Sequence, residues 1–217
     1  MKLAESLFEH CVFVNVPFDQ DYLPLLHAIL FAIHDCGFIA RIAIEDTGSS
    51  ETRLDKITRI IGESRLSIHD VSRVETTLSN PLPRFNMPFE CGLALGAIRF
   101  GQQVSNRDFL LLVGEPYQDK KTLSDLAGQD SKSHQNQPHH AVKAVRAFLS
   151  AKKCQGERIP GAAAIWKHFL AFENDLARLS EELECTLEEM QSFDYLPDWI
   201  NCMTLWLQSG RQLSQAD

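Results

Sequence analysis

No stretch of this 217-residue chain reaches the roughly 18–20 uninterrupted apolar residues that a helical membrane span needs. The opening Met1-Lys2-Leu3-Ala4-Glu5 has no signal-peptide apolar region, because Glu5, Glu9 and His10 interrupt it. No C-x-x-C pair occurs among Cys11, Cys36, Cys91, Cys154, Cys185 and Cys202. Scattered thiols, several in apolar stretches, are expected to be reduced and buried, as in a cytoplasmic protein. His134, His139 and His140 form the densest histidine region and have no cysteine beside them, so no bound metal is expected. Glycine-rich phosphate loops are missing too. Gly92-x-x-x-Gly96 follows a helix start rather than a strand, so it reads as close helix packing and not as a dinucleotide fingerprint.

What is present fits an ordinary globular chain. The hydrophobic fraction is 44% and the charged fraction 23%, which excludes a largely disordered, collagenous or disulfide-scaffold protein. The net charge of −8 is unevenly spread. Residues 1–154 hold 17 basic and 18 acidic side chains, whereas residues 155–217 hold 4 and 11. An acidic chain gains nothing from counterion release, so duplex nucleic acid is not an expected partner. The charge step suggests an α/β domain over 1–154 and an acidic helical extension over 155–217, joined through residues 155–161.

Apolar runs and turn residues alternate along the first part. Cys11 to Val16 reads as a buried strand ended by Pro17, and a helix with Pro24 near its start follows. A second strand is expected over Phe38 to Ile44, a helix carrying Leu54, Ile57 and Ile61, and a third strand ending at Asp70. After a long loop, Pro88 opens a helix that runs to about Phe100. Phe109 to Val113 is a fourth strand, and Val142, Val145, Phe148 and Leu149 mark another helix. This order predicts a flavodoxin-like, doubly wound parallel sheet of four to five strands. In such sheets ligands sit outside the carboxyl ends of the strands, which would gather residues 17–21, 45–50, 70–86 and 115–130 around one crevice.

In the extension, Ile165, Phe169, Phe172, Leu176, Leu179 and Leu183 recur every three or four residues, continued by Leu187 and Met190. That seam either folds back on the sheet domain or forms a homodimer or partner surface along residues 162–190. A further short helix is expected around Trp199, Met203, Leu205 and Trp206.

Glu90 is the leading chemical candidate. It lies in the first turn of the helix that opens at the crevice, where backbone N–H groups favour an ionised carboxylate. Such a group suits attack on an anomeric carbon or stabilisation of an oxocarbenium-like centre. First-turn glutamates are also common simply as dipole partners. Asp70 ends the third strand, where it would either touch a base or ribose hydroxyl or cap the following loop. Ser67, His69 and Asp70 have triad residue types, but Asp70 would face away from the other two. Arg73 and Arg84 would grip a phosphate, while Arg59 and Arg65 are expected to pair with nearby acids. Cys91, next to Glu90, would be an activated thiol only if a histidine stood near it.

Asp70, the loop after it, and Phe89-Glu90-Cys91-Gly92-Leu93-Ala94 resemble the nucleoside 2-deoxyribosyltransferase-like group, which shares its flavodoxin-like sheet with TIR domains. Val14-Asn15-Val16-Pro17-Phe18-Asp19 is similar to the first strand and loop of bacterial TIR-like, nucleotide-sensing domains. The whole combination, over about residues 11–150, looks like a bacterial group of unassigned chemistry. The resemblance implies metal-free N-glycosidic bond cleavage or transfer on a nucleoside, nucleotide or NAD, with NAD as substrate and no resident cofactor. Glu90 and Asp70 would match the catalytic pair. Asn15, Pro17, Phe18 and Asp19 would line sugar and base, with Arg73, Arg84 and Asn86 beside them. The alternative it leaves is a non-catalytic TIR-like sensing or interaction module. The chain departs from the group in lacking a glycine-rich opening and in carrying Asn86-Met87-Pro88-Phe89 before the glutamate.

Overall fold

The computed structural model describes residues 7–45, 48, 50–74, 84–101, 106–126, 128–153 and 158–213, with backbone alone for 122 and 211–213. Five parallel strands form one sheet: Cys11–Asn15 (β1), Ile39–Arg41 (β2), Leu66–Asp70 (β3), Asp108–Val113 (β4) and Lys132–Ser133 (β5). Their order is β2-β1-β3-β4-β5, the doubly wound flavodoxin-like arrangement. β1 and β3 are buried along their whole length; β1 accordingly reads as an apolar run, whereas β3 buries Ser67, His69 and Asp70 between its apolar residues. β2 is shorter than expected. The Glu45 carboxylate accepts hydrogen bonds from the Ile42 N–H at 3.3 Å and the Arg41 Nε–H at 2.9 Å, curling the chain into a turn. β5 has only two residues and no apolar pattern to announce it.

The crossovers are helices Leu23–Asp35 (α1), Arg53–Glu63 (α2), Asn86–Phe100 (α3) and Pro138–Ser150 (α5), with a short helix Gln118–Thr122 (α4) after β4. Thr52 caps α2 by accepting from the Asp55 N–H, satisfying a donor that the helix itself leaves free. α3 turns Met87, Glu90, Cys91 and Ala94 inward. Gly92 and Gly96 therefore fall on its outer side, where an added Cβ would meet nothing within 4 Å. The expected close packing at these glycines is not present among the described residues.

The extension comprises Ala162–Glu182 (α6), Leu187–Met190 (α7) and Leu196–Leu213 (α8). Its seam is spent within the chain. Ile165, Phe169, Phe172 and Leu176 join one continuous core with α1 and α5. Phe31 of α1 meets Phe169 edge-to-face at 5.4 Å and Phe172 at 5.8 Å. Ile165, Phe169, Phe172 and Leu176 of the seam are thus covered within the chain. It also stops early: α6 ends at Glu182, Glu184 takes a positive φ of 56°, and a Thr186–Glu189 capping box starts α7. Leu183 and Leu187 are left exposed. α8 is an 18-residue helix rather than a short one. Residues 155–157 of the expected linker lie outside the described set. Among the described residues no helix is long and apolar enough to cross a membrane.

Candidate functional site

The strand order reverses between β1 and β3, and a cleft of about 320 Å³ opens at that point. It is lined by Asn15 at the end of β1 and Phe18 after it, Ile44 after β2, Arg53 of α2, Arg84 just before α3, and Asn86, Met87 and Glu90 in its first two turns. Val16 and, from the extension, Phe193 complete the wall.

Asn15 sets the geometry. Its register opposite His69 lets the side-chain amide donate to His69 Nδ1 at 3.0 Å and to the Met87 carbonyl at 2.8 Å. Both amide hydrogens are thereby used, and the amide oxygen is what Asn15 has left for a ligand. His69 in turn donates from Nε2 to Ser67 Oγ at 2.9 Å. Burial holds its pKa down at about 3, so this imidazole stays neutral. Through Asn15, the central strand is tied to the first turn of α3 and fixes where Glu90 stands. Asn15→Ala should leave His69 Nδ1 without its donor and cost about 1–3 kcal/mol, measurable by urea denaturation. An unchanged midpoint would show that the tie carries no weight.

Glu90 is 5% exposed. Burial raises its pKa to about 7, against a pull downward from Arg53. Glu90 stands in the second turn of α3, which begins at Asn86 and holds no acid in its first turn. The expected first-turn position and the ionised state anticipated from it are both corrected: past the free N–H groups, desolvation dominates. Cys91, beside it, is buried, and burial pushes the thiol up to about 12. It is not an activated nucleophile.

The rim is cationic. Arg53 occupies the first position of α2 and lies over the Phe18 ring at 5.9 Å. Arg84 Nη2 is 3.9 Å from Asp19, and Arg73 Nη2 is 3.8 Å from the same carboxylate. Arg84 lines the cleft; Arg73 and Asp19 do not. Pro17 is buried and also outside the lining. Arg41, Arg59 and Arg65 pair with Glu45, Glu51 and Glu9.

Asp70 is elsewhere. It is fully buried and absent from the cleft lining, with both oxygens engaged. Oδ1 accepts the Ser72 N–H at 2.8 Å, and Oδ2 accepts the Tyr22 hydroxyl at 2.5 Å. His134 Nε2 faces Oδ2 at 2.9 Å. Because His134 Nδ1 accepts from the Asn136 N–H, the ring proton of the neutral form sits on Nε2, towards the carboxylate. Burial works to raise the Asp70 pKa, yet the His134, Ser72 and Tyr22 contacts overcome it and hold the group below its ordinary range. This placement gives no support to the expected substrate contact of Asp70: its contacts join Tyr22, Ser72 and His134 to the end of β3. Ser67 and His69 share the opposite face of β3, so no triad forms. The described residues of 115–130 are also absent from the cleft lining, and Gln118 instead donates to the Ser72 carbonyl at 3.1 Å.

Sequence reasoning missed Phe193, which meets Phe18 edge-to-face at 5.8 Å. Nothing local marks it, since its role depends on where the extension docks. Arg53 had a usable signal, because the Thr52-x-x-Asp55 cap fixes it at a helix start facing the crevice. Residues 75–83 and Asp46, within the anticipated loops, lie outside the described set. No group of metal-binding side chains occurs among the described residues. Neither family models, curated proteins nor solved structures yield a match to this chain.

Proposed function

We propose that the protein cleaves or transfers the N-glycosidic bond of a nucleotide-like substrate, with Glu90 as nucleophile or stabiliser of the ribosyl cation. The observation that carries this reading is the Glu90 carboxyl itself. It is sequestered, it titrates near neutrality, and it is the sole acid among the described lining residues. A pKa near the working pH keeps both protonation states available to the reaction.

The volume and the charges narrow the substrate class. At about 320 Å³, the cleft lies at the lower end of the roughly 300–1,000 Å³ range of ligand sites. It suits one nucleoside unit, so a dinucleotide such as NAD would leave its second half outside. Arg53 and Arg84 at the rim suit a 5′-phosphate. With Glu90 as the lone acid, the reading favours a base that departs without being protonated. In a pyridinium nucleotide the C1′–N bond breaks with both electrons moving to the ring nitrogen, and the base leaves neutral. The ribosyl cation is then captured by Glu90 or by water, whose proton passes to solvent.

The test is chromatographic detection of free base from adenosine, a deoxynucleoside, AMP, nicotinamide mononucleotide and NAD. Turnover is expected to be fastest on the pyridinium mononucleotide. Arg84→Met should raise KM for phosphorylated substrates about 10–100-fold, from a charge-assisted bond of about 1.5–3 kcal/mol, and leave unphosphorylated ones unaffected. Folded protein that releases no base from any of the five compounds overturns the reading.

A second reading, a TIR-like module that binds a nucleotide without turnover, draws on one observation. Phe193 of the extension lines the cleft, so an occupant contacts the segment between α7 and α8. In that case nucleotide-dependent hydrogen-exchange protection of residues 187–193 should persist in Glu90→Gln with no base released.

A further inference from the structure

A second cleft, of about 360 Å³, lies on the far side of the same wall, between α1, α5 and α6. Leu23, Pro138, Phe169 and Leu170 supply apolar sides, while His27 and Glu173 are the groups inside it that carry chemistry. His27 is 4% exposed, and its Nε2 has no hydrogen-bond partner among the described residues. The ring stacks on Trp199 at 4.1 Å with 7° between the planes, which fixes its direction. Burial holds its pKa at about 3, so it stays neutral. Glu173 Oε1 is likewise buried without a hydrogen-bond partner. Burial raises the Glu173 pKa, opposed by the indole N–H of Trp199, which stands close without completing a hydrogen bond. Two such groups are costly to keep in an apolar setting. No part of the proposed glycosidic chemistry uses them.

The chemistry of the lining selects the occupant. It contains one carboxyl, one neutral imidazole and no lysine or arginine. The extension that forms one side of it carries 11 acidic against 4 basic residues. An anion finds no cationic partner in this lining. A neutral ligand leaves the carboxylate desolvated and uncompensated. An organic cation meets Glu173 by charge, His27 Nε2 by hydrogen bonding and the Phe169 ring by cation–π attraction.

We infer that this cleft binds a small organic ammonium ion with an aromatic-sized apolar body, its nitrogen held by Glu173 and His27 and its body laid against Phe169, Leu23 and Pro138. The same two chain segments border both clefts. Phe18 and Phe193 face the first, while Gln20 and Gln191 face the second and touch one another through an amide-to-carbonyl contact of 3.5 Å. The second site is thus two residues along the chain from the wall of the first.

The test uses 2-phenylethylamine, an ammonium ion at neutral pH, against 2-phenylethanol, its neutral counterpart. Binding is read from the Trp199 indole N–H resonance in 15N-labelled full-length protein, assigned with Trp199→Phe. The amine is expected to shift that resonance saturably and to bind at least about tenfold more tightly than the alcohol. Glu173→Gln should bring the two compounds to parity while the melting temperature is retained or raised by about 2–4 °C. Leu170→Trp, which fills the cleft from its exposed rim, should abolish both shifts. Absence of a saturable shift with the amine, equal affinities in the unmodified protein, or unchanged amine affinity in Glu173→Gln each overturns the assignment.

Discussion

Glu90→Gln is expected to reduce base release by about 10²–10⁴-fold and, at the same time, to make the protein more stable above neutral pH. The two effects share one cause. A carboxyl that is 5% exposed and titrates at about 7 is held in an environment that disfavours its charge. Its folded-state pKa is raised above the unfolded value, so the associated stability is complete below about pH 4.3. It is then lost as pH rises through about 7. The difference amounts to about 3 kcal/mol at pH 8. Glutamine keeps the shape without the charge, so the gain should be largest at pH 8 and vanish near pH 4. Catalysis should show the opposite slope in the wild-type protein, rising with pH through about 7 as the nucleophilic carboxylate forms. Thermal melts at three pH values, paired with base-release assays, read both effects. Full activity in Glu90→Gln, or a stability gain independent of pH, would remove this residue from the mechanism.

Asp70→Ala should do the reverse: destabilise strongly and leave the chemistry alone. The substitution leaves the Tyr22 hydroxyl buried without its acceptor, removes the carboxylate that His134 Nε2 faces and frees the Ser72 N–H. Breaking a buried charged cluster of this sort costs about 3–5 kcal/mol, a large share of the roughly 5–15 kcal/mol that holds a domain folded. The melting temperature should fall by on the order of 10 °C. The Asp70 pKa is depressed in the fold, so its contribution is fully present above the unfolded value of about 3.9. That contribution fades as pH drops through the lower folded value. Wild type and variant should therefore converge in strongly acidic solution. Turnover per folded molecule at 20 °C should stay within about threefold, since both carboxylate oxygens are occupied away from the cleft. A hundredfold loss in demonstrably folded Asp70→Ala would restore the residue to the reacting centre.

The contrast between these acids marks how far sequence reading reaches. Strand order and the helix carrying Glu90 followed from local signals: an apolar run ended by Pro17, and Pro88 in a first helical turn. Those signals act over a few residues, which is the range that backbone propensity and burial period encode. Asp70 had the same kind of signal, a carboxylate at a strand end. Its fate was decided by Tyr22 and His134, which come from distant parts of the chain, and no spacing in the sequence reports that convergence. Arg73 and Arg84 make the point again. Both follow β3 and both reach Asp19, but one lines the cleft and the other does not. The α6 seam was read correctly as apolar, while its early end had to come from the Thr186–Glu189 capping box.

The shared core of sheet domain and extension sets a timetable for synthesis. Phe31 emerges early in α1, but the rings that cover it, Phe169, Phe172 and Trp206, belong to α6 and α8. A growing chain that has already paired β1 with β3 still shows the outer face of α1 to water until the last helix has left the ribosome. The neutral first part cannot be released as a finished unit while the acidic part is awaited. A polypeptide stopped near residue 154 would display a long apolar helix face, the kind of surface that chaperones hold and that aggregates recruit.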